Sequence, residues 1–169
     1  MRGAAVLFLT LYVLRALVAE ANNMLSGLHV WLFAGGLFVT YAAMAMPLGM
    51  GLAASLLGGF LCDAVTPVAF GTHAALFAAA HAVIYNARPR LQRQQTPVRV
   101  GVAVLANLGL FLALTFVRLR AGHAASAPWP RMFSDLFWSE AAVAAAAPWF
   151  FSLQLRSLQL ARAVPWGSA

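Results

Sequence analysis

The sequence predicts an all-α fold: a polytopic transmembrane bundle of about six helices, one domain over residues 1–169, with both termini cytoplasmic. Three observations predict it. The chain is 63% hydrophobic and only 9% charged, with a mean hydropathy of +0.81, whereas soluble domains carry about a quarter charged residues. Its apolar runs approach the ~20 residues a helix needs to cross a bilayer core. Its arginines concentrate on one side of the alternation those runs impose.

The first span is read at Ala4–Val18, short enough to lean on Arg15, whose aliphatic stem can carry the guanidinium to the interface. Met1-Arg2 and Ala19-Glu20-Ala21 imitate a signal peptide, but Arg15 interrupts the expected apolar-to-cleavage progression, so an uncleaved helix is expected. The second span is Leu28–Met46, and Pro47 separates it from the third, Leu48–Ala64. A proline lacks the N–H that a helix start does not need. The fourth span is Phe70–Tyr85, the fifth Arg99–Val117 and the sixth Leu136–Leu155, with Pro148 expected to kink the last. Trp31, Trp138 and Trp149 fall near the ends of these spans, as in an aromatic belt.

Charge sets the orientation. Arg88, Arg90, Arg93 and Arg99 lie between the fourth and fifth spans, and Arg156 and Arg162 follow the sixth. With Arg2 they share one face, which becomes cytoplasmic. All four acids, Glu20, Asp63, Asp135 and Glu140, fall on the opposite face with Arg118, Arg120 and Arg131 as available partners. The net charge of +7 is accounted for by this asymmetry and by anionic membrane lipids, so no nucleic-acid partner is expected. Cys62 is the sole cysteine, which excludes an intrachain disulfide and a cysteine-based metal site.

Gly51, Ser55, Gly59 and Asp63 recur every fourth residue and share one stripe of the third helix. Such small-residue stripes let membrane helices approach closely, so these positions are read as a helix-contact face, internal or for a partner. Asp63 sits near the outer end of its helix. It is expected to organise the Ala64–Phe70 turn by accepting backbone N–H groups or to pair with an outer arginine; the sharper alternative is a proton or cation site. His73, Phe77, His81 and Tyr85 line one side of the fourth helix. Its two histidines stand ~12 Å apart along the axis, too far to share a metal. Asn107 lies mid-span in the fifth helix and is expected to bond across to another helix; Glu140 is expected to pair with Arg118, Arg120 or Arg131. No HExxH, paired aspartate, serine-protease order or phosphate-binding glycine loop is present, so neither an enzyme nor a cofactor is expected.

From Gly49 to Val117 the chain resembles the rod-shape-determining membrane protein family MreD. Gly59 and Asp63 match its Gly-x-x-x-Asp element, Gly71 its turn glycine, and His73-Ala74-Ala75-Leu76 the start of its next helix. Arg88, Arg90 and Arg93 match its basic connection. The resemblance implies a non-enzymatic, multi-pass scaffold in the bacterial inner membrane. It would dock a bitopic MreC-like protein and other membrane proteins of the elongation and peptidoglycan-synthesis machinery. Gly51, Ser55, Gly59, Asp63, Gly71, His73 and Asn107 are then the contact residues. The substrate-binding subunits of energy-coupling-factor vitamin transporters look alike at this level and give the alternative function, which would require an interior polar pocket. A channel or proton-linked carrier using Asp63 is a third reading.

Overall fold

The computed structural model describes residues 2–91, 95–120 and 129–160. Arg93 and Arg162 lie outside the described residues. The six α-helices are α1 (Arg2–Leu25), α2 (Gly35–Ala45), α3 (Leu48–Asp63), α4 (Thr72–Ala87), α5 (Thr96–Arg120) and α6 (Trp129–Leu160). Short 3-10 turns cover Ser26–Leu28 and Arg88–Arg90, and there is no strand among the described residues. The fold is all-helical, as the composition predicts. Helices α5 and α6 are each long and apolar enough to cross a membrane.

The middle of the bundle is α2. All of Gly36–Met44 is buried, with α3, α4, α5 and α6 packed around it. Phe38, Val39, Ala42 and Ala43 are completely enclosed, which explains why this helix is apolar all round instead of amphipathic. Contacts along its length fix how the other helices run. Phe33 meets the Phe111 ring and Gly36 meets Asn107, so α5 runs antiparallel to α2. Ser139 bonds Phe33 before the α2 start, whereas Tyr41 further along stacks on Phe151 and meets Phe150 edge-on. Helix α6 therefore runs parallel to α2. At the α2 finish, Arg88 donates to the carbonyl of Met46 (2.9 Å).

Two helix boundaries differ from the sequence reading for physical reasons. The first helix runs to Leu25, past the expected Val18, because the first breaker is Ser26-Gly27 and the chain turns only at His29 (φ 56°). Arg15 therefore sits mid-helix and half-buried, not at an end, and Ala19–Ala21 is continuous helix. The second helix starts seven residues later than Leu28, at Gly35. Residues 29–34 are irregular. Eleven helical residues rise only ~16 Å, well short of a bilayer core of ~30 Å. The remaining boundaries extend or shift the expected ones by a few residues, most at the start of α6, seven residues before Leu136. Pro148 lies inside that continuous helix.

Large apolar side chains also cover the outside. Leu9 and Leu17 on α1, Val83 on α4, Leu105 and Phe116 on α5, and Phe133, Phe137 and Trp149 on α6 are all exposed. Apolar packing inside and an apolar coat outside is a pattern that soluble monomers avoid.

Replacing Phe38 with Ala should cost about 3–5 kcal/mol, the range for emptying an enclosed phenylalanine site. Phe133→Ala, at a side chain that is 60% exposed, should stay within about 0.5 kcal/mol. Thermal unfolding of both variants in one detergent checks the inside–outside assignment.

Candidate functional site

Asp63 is the last residue of α3, and eight residues separate it from the next helix start. Thr66 Oγ1 closes the end of α3 by donating to the Cys62 carbonyl (2.8 Å), and Val65 N donates to the same oxygen (3.3 Å). The chain then turns through Pro67 and enters α4 at Gly71, whose φ of 95° is open to glycine at little cost. A helix start leaves several N–H groups unpaired, normally met by a Ser, Thr, Asp or Asn at the cap position. Glycine has no side chain to offer. Asp63 supplies the missing acceptor from the preceding helix: Oδ2 accepts from Gly71 N (3.0 Å) and Ala74 N (3.2 Å), and Oδ1 accepts from His73 N (2.9 Å).

The His73 ring adds a fourth donor, Nδ1 to Oδ1 at 2.8 Å. A carboxylate can only accept, so Nδ1 carries a proton in this bond. Both side chains are buried, and they form an ion pair whenever the ring holds its second proton. Asp63 thus accepts backbone N–H groups, the first of its two expected roles, and its side-chain partner among the described residues is His73. Its backbone donors lie at Gly71 and in the first turn of α4, just beyond the Ala64–Phe70 turn.

The small-residue stripe faces inward along the same seam. A Cβ added at Gly59 would fall within 3 Å of the Ala74 and His73 backbone, and one at Gly51 would strike the His81 ring and the Ala42 carbonyl. Between them Ser55 Oγ and His81 Nδ1 share a hydrogen bond of 3.1 Å, both residues fully buried. Serine, aspartate and histidine are therefore all present, but the hydroxyl and the carboxylate serve different imidazoles. Such separate pairs make no charge relay. Among the described residues no cluster of three metal-ligating side chains forms.

Asn107 belongs to a second cluster, separate from the α3–α4 seam. Its Oδ1 accepts from Gly36 N (3.1 Å), while Nδ2 donates to the Phe33 carbonyl (3.0 Å) and to Glu140 Oε1 (3.1 Å). It bonds two elements at once, α6 and the α2 start. Neighbouring side chains complete the pairing of the irregular segment. Asn22 takes both main-chain groups of Leu32, accepting from N (2.6 Å) and donating to O (3.0 Å). Asp135 accepts from Trp31 N (2.8 Å), and Ser139 bridges Phe33 N (3.0 Å) and Trp31 O (3.3 Å). Gly36 makes room: a Cβ there would collide with the Asn107 backbone.

Sequence reasoning misses this cradle. Asn22 falls in an expected loop, Ser139 carries no pattern, and Asp135 reads as a partner for an outer arginine. The available signal is Gly35-Gly36 within an otherwise apolar run, since paired glycines weaken a helix. Glu140 pairs with Asn107 in place of the expected arginine; Arg120 lies instead over the Phe116 ring, 4.8 Å from its centroid.

Chemically, Asp63 in one cluster and Asn22, Asn107, Asp135 and Ser139 in the other hold backbone in place. They define a helical protein whose buried polar side chains cap helices from a distance. No protein-family model, curated protein or solved structure matches the chain.

Asp63→Asn turns one acceptor oxygen into a donor facing N–H groups. It should destabilise the protein by about 3–5 kcal/mol, as for a broken buried pair, whereas Thr66→Ala removes one bond and should cost only about 1 kcal/mol. Gly71→Ala should cost about 1–3 kcal/mol through its positive φ alone, because a Cβ there meets nothing. Unfolding of the three variants in detergent should rank Asp63→Asn as the most damaging and Thr66→Ala as the mildest.

Proposed function

We propose that the protein is a non-enzymatic scaffold, a six-span protein of the bacterial inner membrane that docks other membrane proteins of the rod-shape elongation machinery, as MreD-family proteins do. The observation that carries this reading is that Gly59, Asp63 and Gly71, which bear the resemblance, work as one mechanical unit. Gly59 brings the two helices together, Gly71 lets the chain turn, and Asp63 locks the turn to the next helix.

The apolar coat supports the multi-pass part of the reading. So does the geometry of the ends: Asp63 lies where α4 begins and Asp135 in the second turn of α6, while Arg88 lies at the far end of α4, beside Met46. That distribution agrees with arginines inside and acids outside. Partner contact then falls to the lateral surface, because the Gly51–Asp63 stripe is already occupied by α4.

The test uses α5, where a Cβ at Gly101 or Gly109 meets no neighbour within 4 Å. Leu at either position should leave thermal stability within about 0.5 kcal/mol of the parent. The tagged wild-type protein should co-purify a bitopic membrane protein, and the double variant Gly101→Leu/Gly109→Leu should retain less of it if α5 carries the contact. Wild-type protein that brings down no membrane partner and instead holds a vitamin-like ligand would sink the scaffold reading in favour of a transporter subunit.

A further inference from the structure

Asp63, which is buried, and Glu140, which is partly buried, are treated very differently. Asp63 receives four donors. Glu140 receives one, Asn107 Nδ2 on Oε1, and its Oε2 is sealed from solvent with no hydrogen-bond partner among the described residues. A carboxylate in membrane interior with a single hydrogen bond is costly unless a cation neutralises it.

The described neighbours do not supply that cation. The facing element α5 contributes the neutral Asn107, and the irregular segment contributes main chain. Other side chains on that segment are the neutral Asn22, bonded to Leu32, and Asp135, bonded to Trp31 N. The acceptor that shares the Asn107 donor with Glu140 is an oxygen as well. The Phe33 carbonyl shares Asn107 Nδ2 with Oε1, and Ser139 Oγ bonds the main chain of the same segment at Phe33 N and the Trp31 carbonyl. A carboxylate beside unwound carbonyls at a broken membrane helix is a donor set for H⁺ or Na⁺, not for a soft metal.

We propose that Glu140 is an exchangeable site for one monovalent cation, a proton or Na⁺, built at the break before α2. The proposal rests on the membrane-spanning part of the reading above and not on the identity of any partner. Occupancy is tied to the fold through one amide: Asn107 holds Glu140, Phe33 and Gly36 together. Neutralising Glu140 therefore alters the group that anchors the start of α2.

Dicyclohexylcarbodiimide tests this on wild-type protein reconstituted in phospholipid vesicles. It reacts with a protonated carboxyl in apolar surroundings. The carboxyl oxygen adds to the carbodiimide carbon, the proton passes to nitrogen, and the O-acylisourea rearranges to a stable N-acylurea. Peptide mass spectrometry should find the adduct on Glu140 and none on Asp63. Its rate should fall about tenfold per pH unit on the alkaline side of the site's titration. Slower labelling in NaCl than in choline chloride assigns Na⁺; equal labelling in the two salts with the pH dependence intact assigns H⁺. No Glu140 adduct at any pH, or a rate indifferent to both pH and salt, overturns the proposal. The readout is independent of partner co-purification, so either reading can fail alone. Glu140→Gln should lose the adduct, but the outcome is decided on the native chain.

Discussion

Main-chain polar groups that water cannot reach must be paired, and in this protein two helix starts depend on side chains of other helices for that pairing. Helix α2 begins at Gly35 and α4 directly follows Gly71, and neither is capped by its own cap residue. Asn107 caps one and Asp63 the other. In water such a lapse would be mild, because solvent would fill in for the missing cap. Inside a bundle with an apolar exterior each unpaired group costs a few kcal/mol. Gly36 and Gly59, inside their helices, permit the close backbone approach that lets a distant cap reach. Closeness and capping are thus one arrangement seen from two sides.

This arrangement divides the polar residues by task. Asp63, His73, Ser55 and His81 tie α3 to α4, whereas Asn22, Asn107, Asp135 and Ser139 hold an irregular stretch that would otherwise leave its main chain bare. The stretch interrupts a run that is apolar enough to be helix throughout. It remains open because side chains on three different helices pair its N–H and C=O groups. Non-helical backbone away from water is tolerated where protein surrounds and pairs it.

Much of the α3–α4 seam was legible in the sequence. Spacing by four residues puts Gly51, Ser55, Gly59 and Asp63 on one stripe, and a carboxylate followed by a glycine points to a locked turn. Local geometry carries that information, since Asp63 and its donors are eight to eleven residues apart. Of the cradle only the cross-helix role of Asn107 was legible, because the bonds to the irregular segment and the α2 start, those of Asn22 excepted, join residues 71 to 108 positions apart. No periodicity records such distances. Helix length escapes the sequence for a related reason: hydropathy marks where a chain is oily, not where its hydrogen-bond ladder stops. Glu20 and Asn22 continue α1 well beyond its oily part, and Trp31, Leu32 and Phe33 are oily without being helical.

The long reach of the cradle bears on how the chain is made. Ribosomes deliver Trp31 to Phe33 well before Asn107, Asp135 or Ser139 exist, since synthesis proceeds from the amino terminus. During that interval Asn22 alone, among the described side-chain partners, can serve the segment. The α3–α4 hairpin, whose lock is local, can close at once. Assembly therefore has a built-in order in which the innermost helix, although translated second, reaches its final form only after the last helix has arrived.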